Sequence, residues 1–154
     1  MTGLHLLEEA TISYRRAVAI EPDLAEAHYS LGACLKSLGL LSEAAESYRR
    51  AIAISSGYTD AYRDLGLVLT EQGNLEEAAG VYRQAIAISP HLAPLYLNLG
   101  TILNKQENLD GAVGTYRQAI LLSGREVRRQ PDKLNHLPAH SSKFDVSTYF
   151  PTTE

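Results

Sequence analysis

The chain has 154 residues, 45% of them hydrophobic and 21% charged, and a net charge of −4. This length allows one domain or several stacked repeats, and so mild a charge gives no electrostatic reason to expect nucleic acid or an anionic membrane as the main partner. The single cysteine, Cys34, excludes an intrachain disulfide and a cysteine-based metal cluster. Because the sequence has neither a run of about 18 apolar residues nor a signal-peptide pattern, we expect no membrane insertion and a cytoplasmic location.

Nearly the same heptapeptide occurs four times along the chain. Its copies are YRRAVAI at 14–20, YRRAIAI at 48–54, YRQAIAI at 82–88 and YRQAILL at 116–122. The tyrosines that begin the copies are 34 residues apart, and a period of roughly 20–50 residues is typical of a solenoid. This period divides the chain into an N-terminal half repeat at 1–24, full repeats at 25–58, 59–92 and 93–126, and a C-terminal extension at 127–154.

The half repeat is predicted to be a second helix that lacks the helix before it. Its apolar residues recur at helical spacing, at Leu6, Leu7, Ala10, Tyr14, Ala17 and Ile20. We expect one face of this helix to pack on the next repeat and an apolar strip to remain uncovered. Two hypotheses explain the strip: the chain is a fragment of a longer array, which we prefer, or two copies associate through it as a homodimer.

Each full repeat is predicted to form two antiparallel helices. In the first full repeat one apolar stripe ends at Gly39, which can adopt the left-handed conformation that terminates a helix, and a second stripe follows. Cys34 lies on the first stripe and is expected to be a buried, inert thiol. Two pairs have the spacing of a capping box that begins a helix: Asp23 with Glu26, and Asn74 with Glu77.

A glycine recurs inside the first helix of each full repeat, at Gly32, Gly66 and Gly100. Glycine in a helix interior costs about 1 kcal/mol relative to alanine. Its recurrence therefore predicts that the facing helix comes too close for a side chain. The residues expected to form the opposite wall are Ala44, Ala78 and Ala112.

Four motifs of these repeats resemble the tetratricopeptide repeat family: LG in the first helix, GNLEEA at the turn, YRQAI in the second helix and SP at the exit. The resemblance covers residues 6–126. It implies an all-α fold, an α-solenoid in which antiparallel helical hairpins stack as a right-handed superhelix and the first helices line a concave groove. The chain departs from the family pattern at His28, where an aromatic is common, at Glu107 in place of a turn glycine, and at Ser56 and Gly124 in place of an exit proline.

The groove implied by the resemblance is an extended surface on which we expect a partner to bind. Its side chains lie off the apolar stripe of the first helices and include four acids and three bases, which favours a peptide of polar and basic character. The predicted groove residues are Glu26, Tyr29, Ser30, Ala33, Lys36, Asp60, Arg63, Asp64, Leu67, Glu71, Leu97, Asn98, Thr101, Asn104 and Lys105.

Two binding modes of the family fit the sequence poorly. Chaperone-tail binders clamp a terminal carboxylate with Lys, Asn and Arg, whereas the corresponding places here hold Tyr29, Ala33, Asp64, Pro94 and Asn98. The superhelix of O-linked N-acetylglucosamine transferases and similar bacterial proteins grips peptide backbone with a ladder of Asn amides, of which only Asn98 is present. We therefore expect no carboxylate clamp and only partial backbone gripping.

No catalytic site, metal site or cofactor is expected. The acidic pairs Glu8–Glu9 and Glu76–Glu77 are expected at the start of second helices, where acids stabilise the helix dipole. Pro138 separates His136 from His140, and no third metal ligand lies nearby in the sequence. No glycine-rich phosphate loop occurs.

These patterns predict a non-catalytic module that binds a peptide or a partner protein in the groove. One alternative is the substrate-recruiting region of a larger enzyme, of glycosyltransferase or methyltransferase type, whose catalytic domain lies outside this sequence. A further alternative is self-assembly through the uncovered N-terminal face.

The repeat pattern stops after Gly124. The last helix is predicted to continue by one or two turns, up to Gln130, with a solvated basic end formed by Arg125, Arg128 and Arg129. Prolines interrupt the remaining residues at 131, 138 and 151. The apolar residues among them either cover the last hairpin or belong to a missing domain; they are Leu134, Leu137, Phe144, Val146, Tyr149 and Phe150.

Overall fold

The computed structural model describes residues 2–129, and over this range the chain forms seven α-helices. They are α1 (Thr2–Ile20), α2 (Ala25–Ser37), α3 (Leu41–Ile54), α4 (Thr59–Glu71), α5 (Leu75–Ile88), α6 (Ala93–Lys105) and α7 (Leu109–Arg129). Each helix packs against the next one in the chain, so that α2–α3, α4–α5 and α6–α7 are successive hairpins and α1 packs on the first of them. The predicted all-α solenoid is confirmed. No helix within 2–129 is both long and apolar enough to cross a membrane.

The repeated heptapeptide supplies much of the core. Tyr48 and Ala51 of the second copy, and Tyr82 and Ala85 of the third, are at most 1% exposed. Burying a large side chain of this kind stabilises the fold by roughly 1.5–3 kcal/mol. The core residues of the first helices, such as Leu35 and the fully buried Leu69, Leu95 and Ile102, pack against them. The heptapeptide is therefore part of the frame of the solenoid.

The glycines of the first helices lie against the tyrosine rings of the second helices. A Cβ atom added to Gly32 would lie 2.8 Å from the ring of Tyr48, and one added to Gly66 would lie 2.5 Å from the ring of Tyr82. Gly100 has the same relation to Tyr116. The prediction that the facing helix comes too close for a side chain is confirmed. The prediction that alanines form the wall is wrong, because the long tyrosine side chain reaches across the hairpin and its ring atoms are the nearest neighbours.

The two predicted capping boxes are absent from the helix starts. Leu24, not Asp23, is the N-cap of α2, and neither Leu24 nor the α5 N-cap Asn74 makes a side-chain capping bond. Glu77 instead receives a hydrogen bond from Nη2 of Arg49 at 2.8 Å. The one side-chain bond of capping type that we find within 2–129 was not predicted. In it Oδ1 of Asn108 accepts the backbone N–H of Gly111 at 3.1 Å.

Arginine–glutamate pairs join α1 to α3 and α3 to α5. Arg15 of α1 bonds Glu43 at 2.6 Å and Arg49 of α3 bonds Glu77 at 2.8 Å, both on the exposed surface. Exposed pairs of this kind contribute at most about 1 kcal/mol each. Gly111 stands where the next glutamate would be, so the pair does not recur in the third hairpin.

The two acidic pairs, Glu8–Glu9 and Glu76–Glu77, lie at different places in their helices. Glu76 and Glu77 lie in the first turn of α5, as predicted. Glu8 and Glu9 do not begin a helix, because α1 starts at Thr2; they lie 3.9 and 3.3 Å from the ring nitrogens of His5. That part of the prediction is wrong, since α1 extends further towards the N-terminus than the repeat pattern requires.

His28 replaces the family aromatic without losing its contact. In the second and third hairpins, the hydroxyls of Tyr62 and Tyr96 donate to a backbone carbonyl six residues earlier, at 3.2 and 2.8 Å. Nε2 of His28 lies 2.9 Å from the equivalent carbonyl of Pro22. Because a carbonyl oxygen only accepts, this nitrogen carries the proton. The histidine therefore anchors the start of α2 as the tyrosines anchor α4 and α6.

The two ends of the array expose apolar side chains. On α1, Leu6 and Ile20 are 63% and 79% exposed, while Tyr14 packs against the core. On α7, Val113 and Ile120 are 48% and 56% exposed. Self-association through α1 stays a prediction, as do the proposed repeat boundaries.

The last helix continues past Gly124 to Arg129, within the one or two further turns that were predicted. Three sets of expectations for the C-terminal extension lie outside the described residues. They concern the apolar residues Leu134 to Phe150, the prolines, and the pair His136 and His140.

Gly66→Ala tests the glycine–tyrosine contact. The new methyl group would collide with the ring of the 1%-exposed Tyr82, so we expect the free energy of unfolding to fall by about 1–2 kcal/mol in urea denaturation. Gly80→Ala is the matched control, because a Cβ there meets nothing within 4 Å. Gly80→Ala should stabilise the protein by about 0.5–1 kcal/mol through helix propensity. Equal effects of the two substitutions would contradict the contact.

Glu107→Gly tests strain in the last hairpin turn. Glu107 has φ 62°, in the left-handed region that Gly39 and Gly73 occupy at the equivalent turns, with φ 76° and 78°. A residue with a Cβ atom pays about 1–2 kcal/mol for this conformation. We expect Glu107→Gly to raise the thermal unfolding midpoint and the reverse change, Gly73→Glu, to lower it. A lower midpoint for Glu107→Gly would show that the turn is not strained.

Candidate functional site

The first helices of the hairpins are neighbours of one another. Helix α2 touches α4, and α4 touches α6, in addition to their contacts within and between consecutive hairpins. Within 2–129 the backbones of the odd-numbered helices do not approach each other in this way, and only long side chains join them, as in the Arg15–Glu43 and Arg49–Glu77 pairs. The even-numbered helices therefore lie on the shorter side of the array, and their outward side chains form a continuous surface, here called the inner face.

All predicted groove residues lie on α2, α4 and α6, and all but one are partly exposed or exposed. Asp64 is the exception, with 7% of its surface exposed. Seven are partly exposed, namely Tyr29, Ser30, Ala33, Lys36, Arg63, Leu67 and Asn98. Seven are exposed, namely Glu26, Asp60, Glu71, Leu97, Thr101, Asn104 and Lys105.

Asp64 joins α2 to α4 through a hydrogen-bonded cluster. The hydroxyl of Tyr29 donates to Oδ2 of Asp64 at 2.9 Å, and Nε of Arg63 donates to Oδ1 at 3.2 Å. Nη1 of Arg63 also donates to Oδ1 of Asp60 at 2.9 Å. A buried carboxylate is tolerated when it is paired and hydrogen-bonded in this way. Asp64 therefore positions Tyr29 and Arg63 and is itself mostly covered.

Three tyrosine rings meet beside this cluster. The ring centroid of Tyr29 lies 5.0 Å from that of Tyr58, at an interplanar angle of 46°, and 5.7 Å from that of Tyr48. Tyr58 was missed by the sequence reasoning because it lies on the link before α4, outside any helical periodicity. Its position directly before a predicted first helix is the only sequence signal that could have found it.

The tyrosines below the inner face have unusual environments. The hydroxyls of Tyr48 and Tyr82 are buried without a hydrogen-bond partner among the described residues, whereas that of Tyr116 lies 3.3 Å from Oγ1 of Thr101. Burial raises the pKa of Tyr48 and of Tyr82 above the ordinary 10.0, and the charge of Asp64 adds to both shifts.

Arg63 stays charged in spite of its partial burial. Burial by itself lowers the pKa of its guanidinium, but the hydrogen bond and charge of Asp64 and the charge of Asp60 outweigh it, so that the pKa is raised. A permanent cation held between two carboxylates is a fixed feature of this surface.

The charges of the inner face are divided between its two edges. Glu26 and Asp60 lie in the first turns of α2 and α4, and Lys36 and Lys105 lie in the last turns of α2 and α6. Each charge has the sign that the helix dipole favours at its position. Glu71 at the end of α4 interrupts the basic edge. One edge is therefore acidic, and the other carries mixed charges.

The residues with possible redox or metal chemistry give no further site. Within 2–129 no three His, Cys, Asp or Glu residues are grouped so that they could hold a metal ion. Cys34 is only partly buried, so the prediction of a buried thiol is wrong. It lies at the edge of the α2 stripe, where Leu31 and Leu35 take the covered positions.

Two family models match the chain. A model described as TPR repeat matches residues 7–39 and 66–106, and a model described as tetratricopeptide repeat matches residues 25–58 and 93–125. Between them the matches reach from the N-terminal half repeat to the third full repeat. No curated protein matches the sequence.

Solved structures of MamA resemble the fold. One crystal structure of MamA is 28% identical in sequence, with a TM-score of 0.79 over 82% of this chain and 74% of that chain. A second, of MamA protein, is 27% identical, with a TM-score of 0.72 over 90% of this chain and 72% of that chain. The MamA RS-1 ArsTM double mutant, 18% identical with a TM-score of 0.75 over 81% of this chain and 70% of that chain, is similar in fold alone.

The ionisation of Tyr29 tests the Asp64 cluster. Burial, followed by the hydrogen bond to Asp64, raises the pKa of Tyr29 to about 12 from the ordinary 10.0. The folded state therefore keeps a proton that the unfolded state loses, and this contribution to stability is present below pH 10 and is lost as the pH rises towards 12. In the absorbance at 295 nm, the difference between the unmodified protein and Tyr29→Phe should titrate near pH 12. The same difference measured in urea should titrate near pH 10, and a folded-state value near 10 would contradict the cluster.

Proposed function

Because the chain belongs to the tetratricopeptide repeat family, whose members bind protein partners, we propose that it holds a peptide or a partner protein on its inner face. The family membership makes the chain a protein-interaction module. We assign partner binding to the inner face, with the predicted groove residues as its contacts.

The observation that carries this proposal is that a packing contact repeats from hairpin to hairpin, whereas the accessible residues of the first helices differ. The glycine–tyrosine packing pair is the same in every hairpin, as Gly32 with Tyr48, Gly66 with Tyr82 and Gly100 with Tyr116. The accessible residues at one equivalent position of the first helices are instead Tyr29, Arg63 and Leu97. Side chains that differ at equivalent positions give each hairpin its own contact chemistry, which suits a surface that reads one partner segment along its length.

The inner face suits a partner that brings both charges and apolar groups. Leu97 exposes 45% of its surface on α6, next to the polar residues Thr101 and Asn104 on the same helix. Glu26 and Asp60 supply negative charge at the other end of the face. A partner segment lying across α2, α4 and α6 would therefore meet an acidic, partly aromatic region first and a partly apolar region with the base Lys105 afterwards.

Matched triple variants test the inner face. The inner-face variant is Leu97→Ala/Asn104→Ala/Lys105→Ala on α6, and the control is Ile88→Ala/Gln84→Ala/Arg83→Ala on the exposed part of α5. Each variant removes one apolar, one amide and one basic side chain. In affinity capture followed by mass spectrometry, we expect the inner-face variant to lose the partners that the unmodified protein and the control retain.

Circular dichroism and thermal unfolding should show that both variants remain folded. An unchanged partner list for a folded inner-face variant, or the same loss in both variants, would refute the inner face as the binding surface.

A further inference from the structure

An open aromatic pair lies at the acidic edge of the inner face. Tyr29 and Tyr58 are each partly exposed, and their rings lie 5.0 Å apart at an angle of 46°. The pair is held from below, because the hydroxyl of Tyr29 donates to the buried Asp64 and its ring contacts that of Tyr48. The faces of tyrosine rings carry partial negative charge and attract cations.

Two carboxylates lie beside this pair. Glu26 lies three residues before Tyr29 on α2, and Asp60 lies two residues after Tyr58 in the first turn of α4, so each carboxylate is close to one ring of the pair. After burial, the negative charges of Glu26 and Asp60 also contribute to the raised pKa of Tyr58. Glu26 is exposed and makes no ion pair with any residue from 2 to 129. Asp60 uses Oδ1 for Arg63 and has Oδ2 left for another donor. The edge therefore offers carboxylate oxygens next to aromatic faces.

Arg63, the cation already present on this edge, is bound to carboxylates of the protein itself. Nε and Nη1 of Arg63 are bound to Asp64 and Asp60, which keeps the guanidinium against those carboxylates. Together Glu26, Asp60 and Asp64 carry one negative charge each against the single positive charge of Arg63, so the edge keeps an excess of negative charge.

A buried hydroxyl beneath the pair also lacks a partner. Tyr48 is 0% exposed, and its hydroxyl makes no hydrogen bond with a described residue. Its ring centroid lies 5.7 Å from that of Tyr29, and its pKa is raised by burial and by the charges of Asp64 and Tyr29. The ring of Tyr48 therefore supports Tyr29 from the buried side.

We propose that this edge binds a lysine or arginine side chain of the partner, with the cation against Tyr29 and Tyr58 and with Glu26 and Asp60 as its counter-charges. The inference rests on the proposed function, and it specifies that the partner segment bound by the inner face is basic. Residues 1–123 carry nine basic against fourteen acidic residues, a net charge of −5, which also favours a basic partner. An acidic segment would instead meet carboxylates without a free cation between them.

A short peptide of alternating lysine and serine, labelled with fluorescein, tests the site by fluorescence anisotropy. The site variant is Glu26→Gln/Asp60→Asn, and the control variant Glu8→Gln/Glu46→Gln removes the same number of charges from exposed positions on α1 and α3. At low ionic strength we expect the site variant to bind about tenfold more weakly and the control to change less than about twofold. Tyr58→Leu should weaken binding about threefold with no change in net charge.

Three results would overturn the proposal. The first is equal weakening by the site and control variants, which would show attraction by net charge alone. The second is unchanged binding by Tyr58→Leu. The third is failure of the unmodified protein to prefer the lysine peptide over one with glutamate in place of lysine. If Asp60→Asn disturbs Arg63 and the fold, Glu26→Gln alone provides the test, because Glu26 makes no ion pair within 2–129.

The capture experiment separates this proposal from the proposed function. If the lysine peptide fails to bind while the Leu97/Asn104/Lys105 variant still loses its partners, the inner face binds partners of another chemistry. If both experiments fail, the inner face itself is wrong.

Discussion

The contact between a glycine of each first helix and a tyrosine ring of the following second helix is the constraint on which the solenoid depends. It lets the two helices of a hairpin approach until a ring fills the space that a side chain would occupy. Because Tyr48 and Tyr82 are at most 1% exposed, each contact is also part of the continuous core. This packing sets the distance between the two helices of each hairpin, the unit from which the array is built.

This packing leaves the other side of the first helices free to vary. Gly32 and Gly66 face the second helices, whereas exposed residues such as Leu97 and Lys105 lie on the inner face and take no part in the hairpin contact. Asp64 is the exception, because it is buried and bonded to Tyr29 across two hairpins. The inner face therefore combines a fixed polar cluster with side chains that are free to match a partner.

Features with a regular period were predictable from the sequence, and features that depend on distant side chains were not. The helices, their order and the left-handed Gly39 follow from spacing and turn chemistry. The capping role assigned to Glu77 was wrong because Arg49, 28 residues away, takes its carboxylate. The tyrosine wall and the aromatic partner Tyr58 were missed because side-chain length and the path of a link, rather than periodicity, bring them into contact.

The arginine–glutamate pairs have a consequence for how such an array can arise. The first full hairpin contains Glu43, which receives Arg15 from the helix before it, and Arg49, which bonds Glu77 in the hairpin after it. A gene segment that encodes this hairpin, copied in tandem, would therefore yield a unit that already complements its own duplicate on both sides. Growth of the array by duplication would need no compensating mutation at these joints.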